Sequence, residues 1–426
     1  MNEWRKRVGA SVALVVLGVL SAAAQSSVIE VKTANALVGD VIGNEKIQKL
    51  IGNVHFIQTS PTGEIIKVWC DSARRYMTQN KVELFGHVRI ARDTTVLRAP
   101  EGVYYGNERR AEMKKGVTLR KGTLNLASRT GQYFSDEKRA FFVGDVVAAD
   151  STSTTWCDRL TYFETDERSI AVGNVRVKSS QNSITVYGDS LIHEEPTKYS
   201  RVLKNPRLVQ IDTTSEGVID TLVVVSNFME GFQDSTNRFV ATDSVRMVRS
   251  DLAARCGRAV FLTRQDRVFL ERQPIIWYGQ NQITGDSMTV TLKDKKLQNV
   301  LVRGRAMAVS RSDSTNARRF DQLIGRELTM YFDKQKVQRI EARRNSISLS
   351  YLFDDRTPNG ANKTSGDRIR IEFEDGKLNT ITVVGGVEGQ FYPEAMINHR
   401  EQNYNLDGFR WVEQRPKRKQ LEIVRE

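Results

Sequence analysis

The chain has 426 residues, a net charge of +13, 39% hydrophobic and 27% charged residues, and three cysteines. This balance fits a folded, well-solvated protein, and so few cysteines exclude a small scaffold stapled by disulfides. A basic surface on an exported chain suits anionic lipid, polysaccharide or phosphate groups; export and the lack of any recognition motif exclude nucleic acid.

The first element is a leader. Arg5, Lys6 and Arg7 precede an uncharged apolar run from Val8 to Leu20, and Ala22, Ala23 and Ala24 follow. The pattern predicts a secretory signal over residues 1–24, cleaved after about Ala24, with a periplasmic mature chain. The apolar run is shorter than a membrane span, and no cysteine follows for acylation.

From there the chain repeats. A small residue followed by alternating apolar residues recurs at Gly52-Asn53-Val54-His55-Phe56 and Gly86-His87-Val88-Arg89-Ile90. It returns at Lys115-Gly116-Val117-Thr118-Leu119, Gly144-Asp145-Val146-Val147-Ala148 and Gly173-Asn174-Val175-Arg176-Val177, with gaps of 34, 29, 29 and 29 residues. Looser copies begin at Pro206, Asp243, Pro274, Gly304, Asn345 and Gly385. A fixed period of this size predicts stacked supersecondary units.

Each unit reads as two strands. The first ends in aromatics (Tyr76, Tyr104-Tyr105, Tyr133-Phe134, Tyr162-Phe163) and enters a turn rich in Asp, Asn and Lys. The second carries the repeat core. A second turn such as Asp150-Ser151-Thr152, Asp234-Ser235-Thr236 or Asp313-Ser314-Thr315 closes the unit. Along Val82–Ile90 one face carries Val, Leu, Gly, Val and Ile and the other Glu, Phe, His and Arg, which is the period of a strand with one dry face. No amphipathic helix follows residue 24.

The expected fold is therefore all-β: an elongated sandwich or jelly roll of about eleven two-strand repeats. The tight repeats span 28–212 and a looser second region spans 226–395. Residues 396–426 lose the pattern and, with Arg410, Arg415, Lys417, Arg418 and Lys419, predict a mobile basic tail. Cys70 and Cys157 occupy equivalent Trp-Cys-Asp sites in different units. Sequential stacking keeps them apart, so they and Cys256 are expected to be buried free thiols.

Chemistry is sparse. His55, His87, His193 and His399 do not fall at metal-ligand spacing, and there is no nucleophile elbow, zincin motif or phosphate loop. No catalytic residue, metal or cofactor is expected. Asp71, Asp158, Asp189, Asp286 and Asp367 recur near comparable points. They are read as turn or strand-end residues; a ladder lining the groove of a polysaccharide-active solenoid is the less favoured alternative. A structural or adhesive surface solenoid is the other alternative.

The small residues carry more information. Glycines at 52, 86, 144 and 173 share a face with apolar residues two and four places on. Two explanations stay open: a row of glycines that keeps a slot underfilled for an apolar ligand, or a strand bend or bulge.

An export signal followed by serial units such as Leu84-Phe85-Gly86-His87-Val88 and Val172-Gly173-Asn174-Val175-Arg176 resembles the OstA-like family. The resemblance implies a β-jelly-roll or V-shaped β-sandwich whose interior holds the acyl chains of lipopolysaccharide in outer-membrane biogenesis. It also implies joining by edge-strand pairing to other transport components at the inner and outer membranes, or head to tail with further copies. The slot would be lined by Gly52, Val54, Phe56, Gly86, Val88, Ile90, Val117, Leu119, Gly144, Val146, Gly173, Val175 and Val177. The chain departs from the family in exceeding twice the length of a minimal bridge protein and in lacking a translocon's long membrane barrel.

Overall fold

The computed structural model describes residues 28–422, except for 60–64, 181–182, 214–218, 234, 236, 251, 294–295, 314–315, 334–335, 356 and 375–376. The leader at 1–24 lies outside the described residues, as do parts of the Asp234-Ser235-Thr236 and Asp313-Ser314-Thr315 turns.

The described chain is almost wholly antiparallel strand. The first strands are β1 (Val28–Thr33), β2 (Ala36–Ile42), β3 (Glu45–Thr59), β4 (Ile65–Tyr76), β5 (Lys81–Arg92) and β6 (Thr95–Tyr105). Each long strand serves two sheets. In β3 residues 47–51 pair with 72–76 of β4, the register breaks at Gly52-Asn53, and Val54 to Thr59 then pair with Cys70 down to Ile65. In β5 the break falls at Gly86-His87, where Phe85 pairs with Ser72 and Arg89 with Trp69. Two residues thus face one, Asp71, which is a β-bulge that bends the strand. The halves before the bulges build sheet A; the halves after them build sheet B.

The bend repeats along the chain. Both residues of the pair have positive φ at 52–53, 86–87, 115–116, 144–145, 173–174, 204–205, 243–244, 272–273, 304–305, 344–345 and 385–386. These eleven corners are the repeat seen in the sequence. At three looser copies the corner begins earlier than the sequence copy, at Lys204, Arg272 and Arg344. Pro206 and Pro274 therefore follow their corners, where their fixed φ suits the outgoing strand.

Because side chains alternate, one face of each sheet turns inward and the two inner faces meet. Buried residues of both sheets, among them Leu84, Val88, Met113, Phe142, Val146 and Leu160, form one core along the first half. A second core continues from Leu208 to Ile369, and Val186 packs against both. The three cysteines are free and buried, as expected. Burial pushes the Cys70 and Cys256 thiols up to about 12 and Cys157 to about 11, so they stay protonated and inert at neutral pH.

The tail departs from expectation. Residues 394–422 run back over the outer face of sheet B as a strap, with short helices α1 (Glu394–Ile397) and α2 (Arg418–Glu422). Ile397 and Leu406 enter an outer core with Met307, Val309, Phe320 and Leu349. Leu421 enters another with Val223, Val248, Ala253, Ile275 and Trp277. Gln282, fully buried, donates to the Arg410 carbonyl at 2.6 Å and accepts from the Val412 N–H at 2.8 Å. Gln322 accepts from the Leu406 N–H at 2.8 Å. Arg319, 2% exposed, pairs with Glu394 at 2.5 Å and lies 3.6 Å from Glu401. The sequence signal lay in sheet B: its outer positions here are Val, Ile, Trp and Gln, where a solvated face would carry charge. A basic composition says only that the tail is solvated on one side.

Candidate functional site

The slot residues fall into two groups. Val54, Val88, Val117, Val146 and Val175 are the inward residues after their corners, each at most 2% exposed. Two places further on, Phe56 is buried, and Ile90, Leu119 and Val177 are half-buried against the same core. Register joins several of them into an apolar row on sheet B: Ile90 pairs with Leu97, Leu97 with Leu119, Leu119 with Leu126, and Leu126 with Ala148. Thr155, which pairs with both Ala148 and Val177, interrupts the row before Val177 pairs with Val186. The fold thus brings the apolar part of the predicted site onto one inner face.

The glycines do something else. Gly52, Gly86, Gly144 and Gly173 have φ of 73°, 70°, 83° and 82° and turn the strand. A Cβ on Gly86 would lie 2.0 Å from Asp71 Oδ2, and one on Gly173 would lie 2.3 Å from Asp158 Oδ2. They are corner residues, and they hold no slot open. The inner side chains of the two sheets are in contact, so in this state the interior is a packed core.

The recurring aspartates serve the same corners. Asp71 Oδ2 is 2.8 Å from His87 Nδ1. Asp158 accepts from Asn174 at 3.0 Å, Asp189 from Asn205 at 3.2 Å, and Asp286 from Arg305 at 2.9 and 2.6 Å. Asp367 lies against Gly385. Each carboxylate caps the adjacent corner. This accounts for their spacing without a substrate groove, and among the described residues every strand pairing is antiparallel, unlike a parallel solenoid.

Sequence reasoning missed the rim where the free edges of the inner faces meet. Gln58 donates to Tyr104 at 3.2 Å. Arg92 donates through Nη1 to Tyr133 at 2.9 Å, and its Nη2 donates to both oxygens of Glu164 at 2.6 and 2.7 Å. Lys121 donates to Tyr162 at 3.1 Å. Burial opposes the charge on Arg92, but Glu164 and Tyr133 outweigh it and raise its pKa. The bond to Tyr162 raises that of Lys121. These links tie sheet B to sheet A in rungs across the mouth. Their signal was Tyr104, Tyr133 and Tyr162 spaced by 29 residues; their partners come from the other sheet.

Outside the mouth, cations stack on aromatics. Arg89 lies over Trp69 at 4.4 Å and Arg176 over Trp156 at 3.9 Å, both on the outer face of sheet B. Arg110, Arg139 and Arg168 stack on Tyr105, Phe134 and Phe163 along the outer face of sheet A. Among the described residues no cluster of His, Cys, Asp and Glu could hold a metal ion.

The described residues thus form a long antiparallel β-jelly-roll folded over along repeated corners around an apolar core. Comparison with known families fits this fold. Residues 26–133 match the model described as OstA-like protein, and 125–296 match the model described as LptA/(LptD N-terminal domain) LPS transport protein. The two matches together run from 26 to 296, and the chain belongs to this OstA-like family of lipopolysaccharide transport proteins. Among solved structures it is similar to LptH, the LptA-homologous periplasmic component of the lipopolysaccharide transport device of Pseudomonas aeruginosa. That match is 14% identical, covers 35% of this chain and 82% of the other, and has a TM-score of 0.18. No curated protein matches the chain.

Proposed function

We propose that this protein is a non-enzymatic periplasmic carrier that shelters the acyl chains of lipopolysaccharide between its two sheets on the way to the outer membrane. The observation that carries the reading is the apolar row from Phe56 through Ile90, Leu119 and Val177, interrupted by Thr155 alone and backed by fully buried valines. Each methylene removed from water is worth about 0.8 kcal/mol, so a chain of about a dozen gains roughly 10 kcal/mol. That is enough to offset breaking a few half-exposed rungs at the mouth, each worth about 1 kcal/mol. The packed interior is then the empty state, and loading parts the sheets along the seam.

The ends suit assembly. Among the described residues β1 and β2 pair only with β3, and Lys377–Val384 and Glu388–Pro393 pair only with the strand Thr357–Glu374. Leu37, Val41, Leu378 and Ile381 are exposed there. Unpaired edges with apolar side chains favour strand addition, to other transport components or to a further copy.

Photocrosslinking tests the reading. A photoreactive residue at the inward Val88, Ile90, Val175 or Val177 is expected to label lipopolysaccharide, and one at the outward Arg89 or Arg176 is not. Equal labelling from both faces would sink it.

A further inference from the structure

The mouth rungs differ along the molecule. In the second half one such contact is between rings: Tyr278 of sheet B meets Phe332 of sheet A edge-on at 5.4 Å. In the first half the contacts are polar, and two successive rungs carry a cation, Arg92 and Lys121. Arg92 pairs with Thr95, and Thr95 with Lys121, so the two cations share one row. They lie two strand spacings apart, about 10 Å. Each sits two residues outward of a seam residue, Ile90 and Leu119 respectively, on the same face of its strand.

An amphiphile whose chains lie against Ile90 and Leu119 would therefore have its polar group at Arg92 and Lys121. What those cations hold now is informative. The Nη2 of Arg92 reaches both oxygens of Glu164, a charge-assisted contact that a phosphate oxyanion also accepts, and both side chains are about a quarter exposed. Tyr133 closes the same node by donating to Glu164 at 3.1 Å.

We propose that Arg92 and Lys121 are a phosphate subsite for the amphiphile's headgroup, and that Glu164 and Tyr162 occupy it as internal stand-ins that latch the mouth when no ligand is bound. Entry of a phosphate exchanges one oxyanion for another on Arg92, so the latch opens without leaving the cation unpaired. This rests on the reading that the seam takes acyl chains; it adds which residues read the headgroup and where along the mouth loading begins.

The test compares a phosphorylated lipid A with the same lipid after enzymatic removal of its phosphates, titrated against the full mature chain. The unmodified protein is expected to bind the phosphorylated form at least about tenfold more tightly, in line with charge-assisted bonds to a half-buried oxyanion. Arg92→Gln with Lys121→Gln should reduce that preference to about twofold or less, with the dephosphorylated lipid bound as well as before or better, because the latch is gone. Glu164→Gln keeps both cations and removes the competitor, so it should tighten the phosphorylated form more than the other, which supplies an arm that survives if the double variant fails to fold. Equal binding of the two lipids by the unmodified protein, or a preference the double variant retains, would overturn the subsite and leave the seam reading standing. Binding of neither lipid would overturn both.

Discussion

Changing Gly173 to alanine separates a corner from a slot. Gly173 has φ of 82°, a left-handed conformation that costs an L-residue roughly 1–2 kcal/mol. The new Cβ would lie 2.3 Å from Asp158 Oδ2, so that carboxylate must move and give up its 3.0 Å bond from Asn174. For an exposed pair that adds about 0.5–1 kcal/mol, giving a total near 2 kcal/mol. Gly39 is the control: it lies within β2, has nothing within 4 Å of its Cβ position, and should take alanine within about 0.5 kcal/mol. The assay is urea unfolding followed by far-ultraviolet circular dichroism, with Gly173→Ala/Asp158→Ala measured against Asp158→Ala, a comparison in which only the backbone cost of about 1–2 kcal/mol remains. If Gly173→Ala is no more destabilising than Gly39→Ala, or costs nothing in stability while changing only lipid binding, the corner reasoning is wrong.

Asp321 makes stability depend on pH. Burial pushes its carboxyl up to about 6, against the pull of the Tyr351 N–H at 2.9 Å. Its contribution is therefore complete below about pH 4 and lost as pH rises through 6, on the order of 3 kcal/mol. Asp321→Asn should remove that part of the pH dependence in urea titrations at pH 4, 5, 6 and 7; parallel curves for the two proteins would refute it. At the strap, Leu421 is 4% exposed, and Leu421→Ala should cost about 2 kcal/mol locally. Hydrogen exchange should then speed up over 410–422 and leave the sheets unchanged, whereas unaltered exchange in the strap would mean that Leu421 does not hold it.

Much of the fold was legible because a corner imprints on sequence in two ways. It needs residues that tolerate positive φ, hence Gly-Asn, Gly-His and Gly-Asp, and it resets an alternation that reads as strand on both sides. Where the corner is Lys204-Asn205 or Arg272-Gln273 the glycine signal is gone. The following proline then drew the sequence repeat to Pro206 and Pro274. The role of the glycines was legible only as a choice between slot and bend, because period two places a residue on a face without revealing φ. The rim was illegible, since Arg92 and Glu164 are 72 residues apart and meet only when both sheets exist. The docking of the tail was hidden for a related reason: its apolar anchors Ile397, Leu406 and Leu421 are isolated, and their partners are outward positions of sheet B.

The parting of the two sheets is open to direct measurement. Spin labels at Thr94 and Glu137, exposed positions in the turns that end sheet B and sheet A, would report the width of the mouth by pulsed dipolar spectroscopy. The native thiols are buried and should not take label. Saturating lipopolysaccharide is expected to lengthen that distance by roughly the width of an acyl chain, about 4–5 Å against a resting sheet separation near 10 Å, while its lipid-free sugar portion leaves it unchanged. Stoichiometric lipopolysaccharide binding with no change in the distance would contradict a seam that opens to shelter the chains.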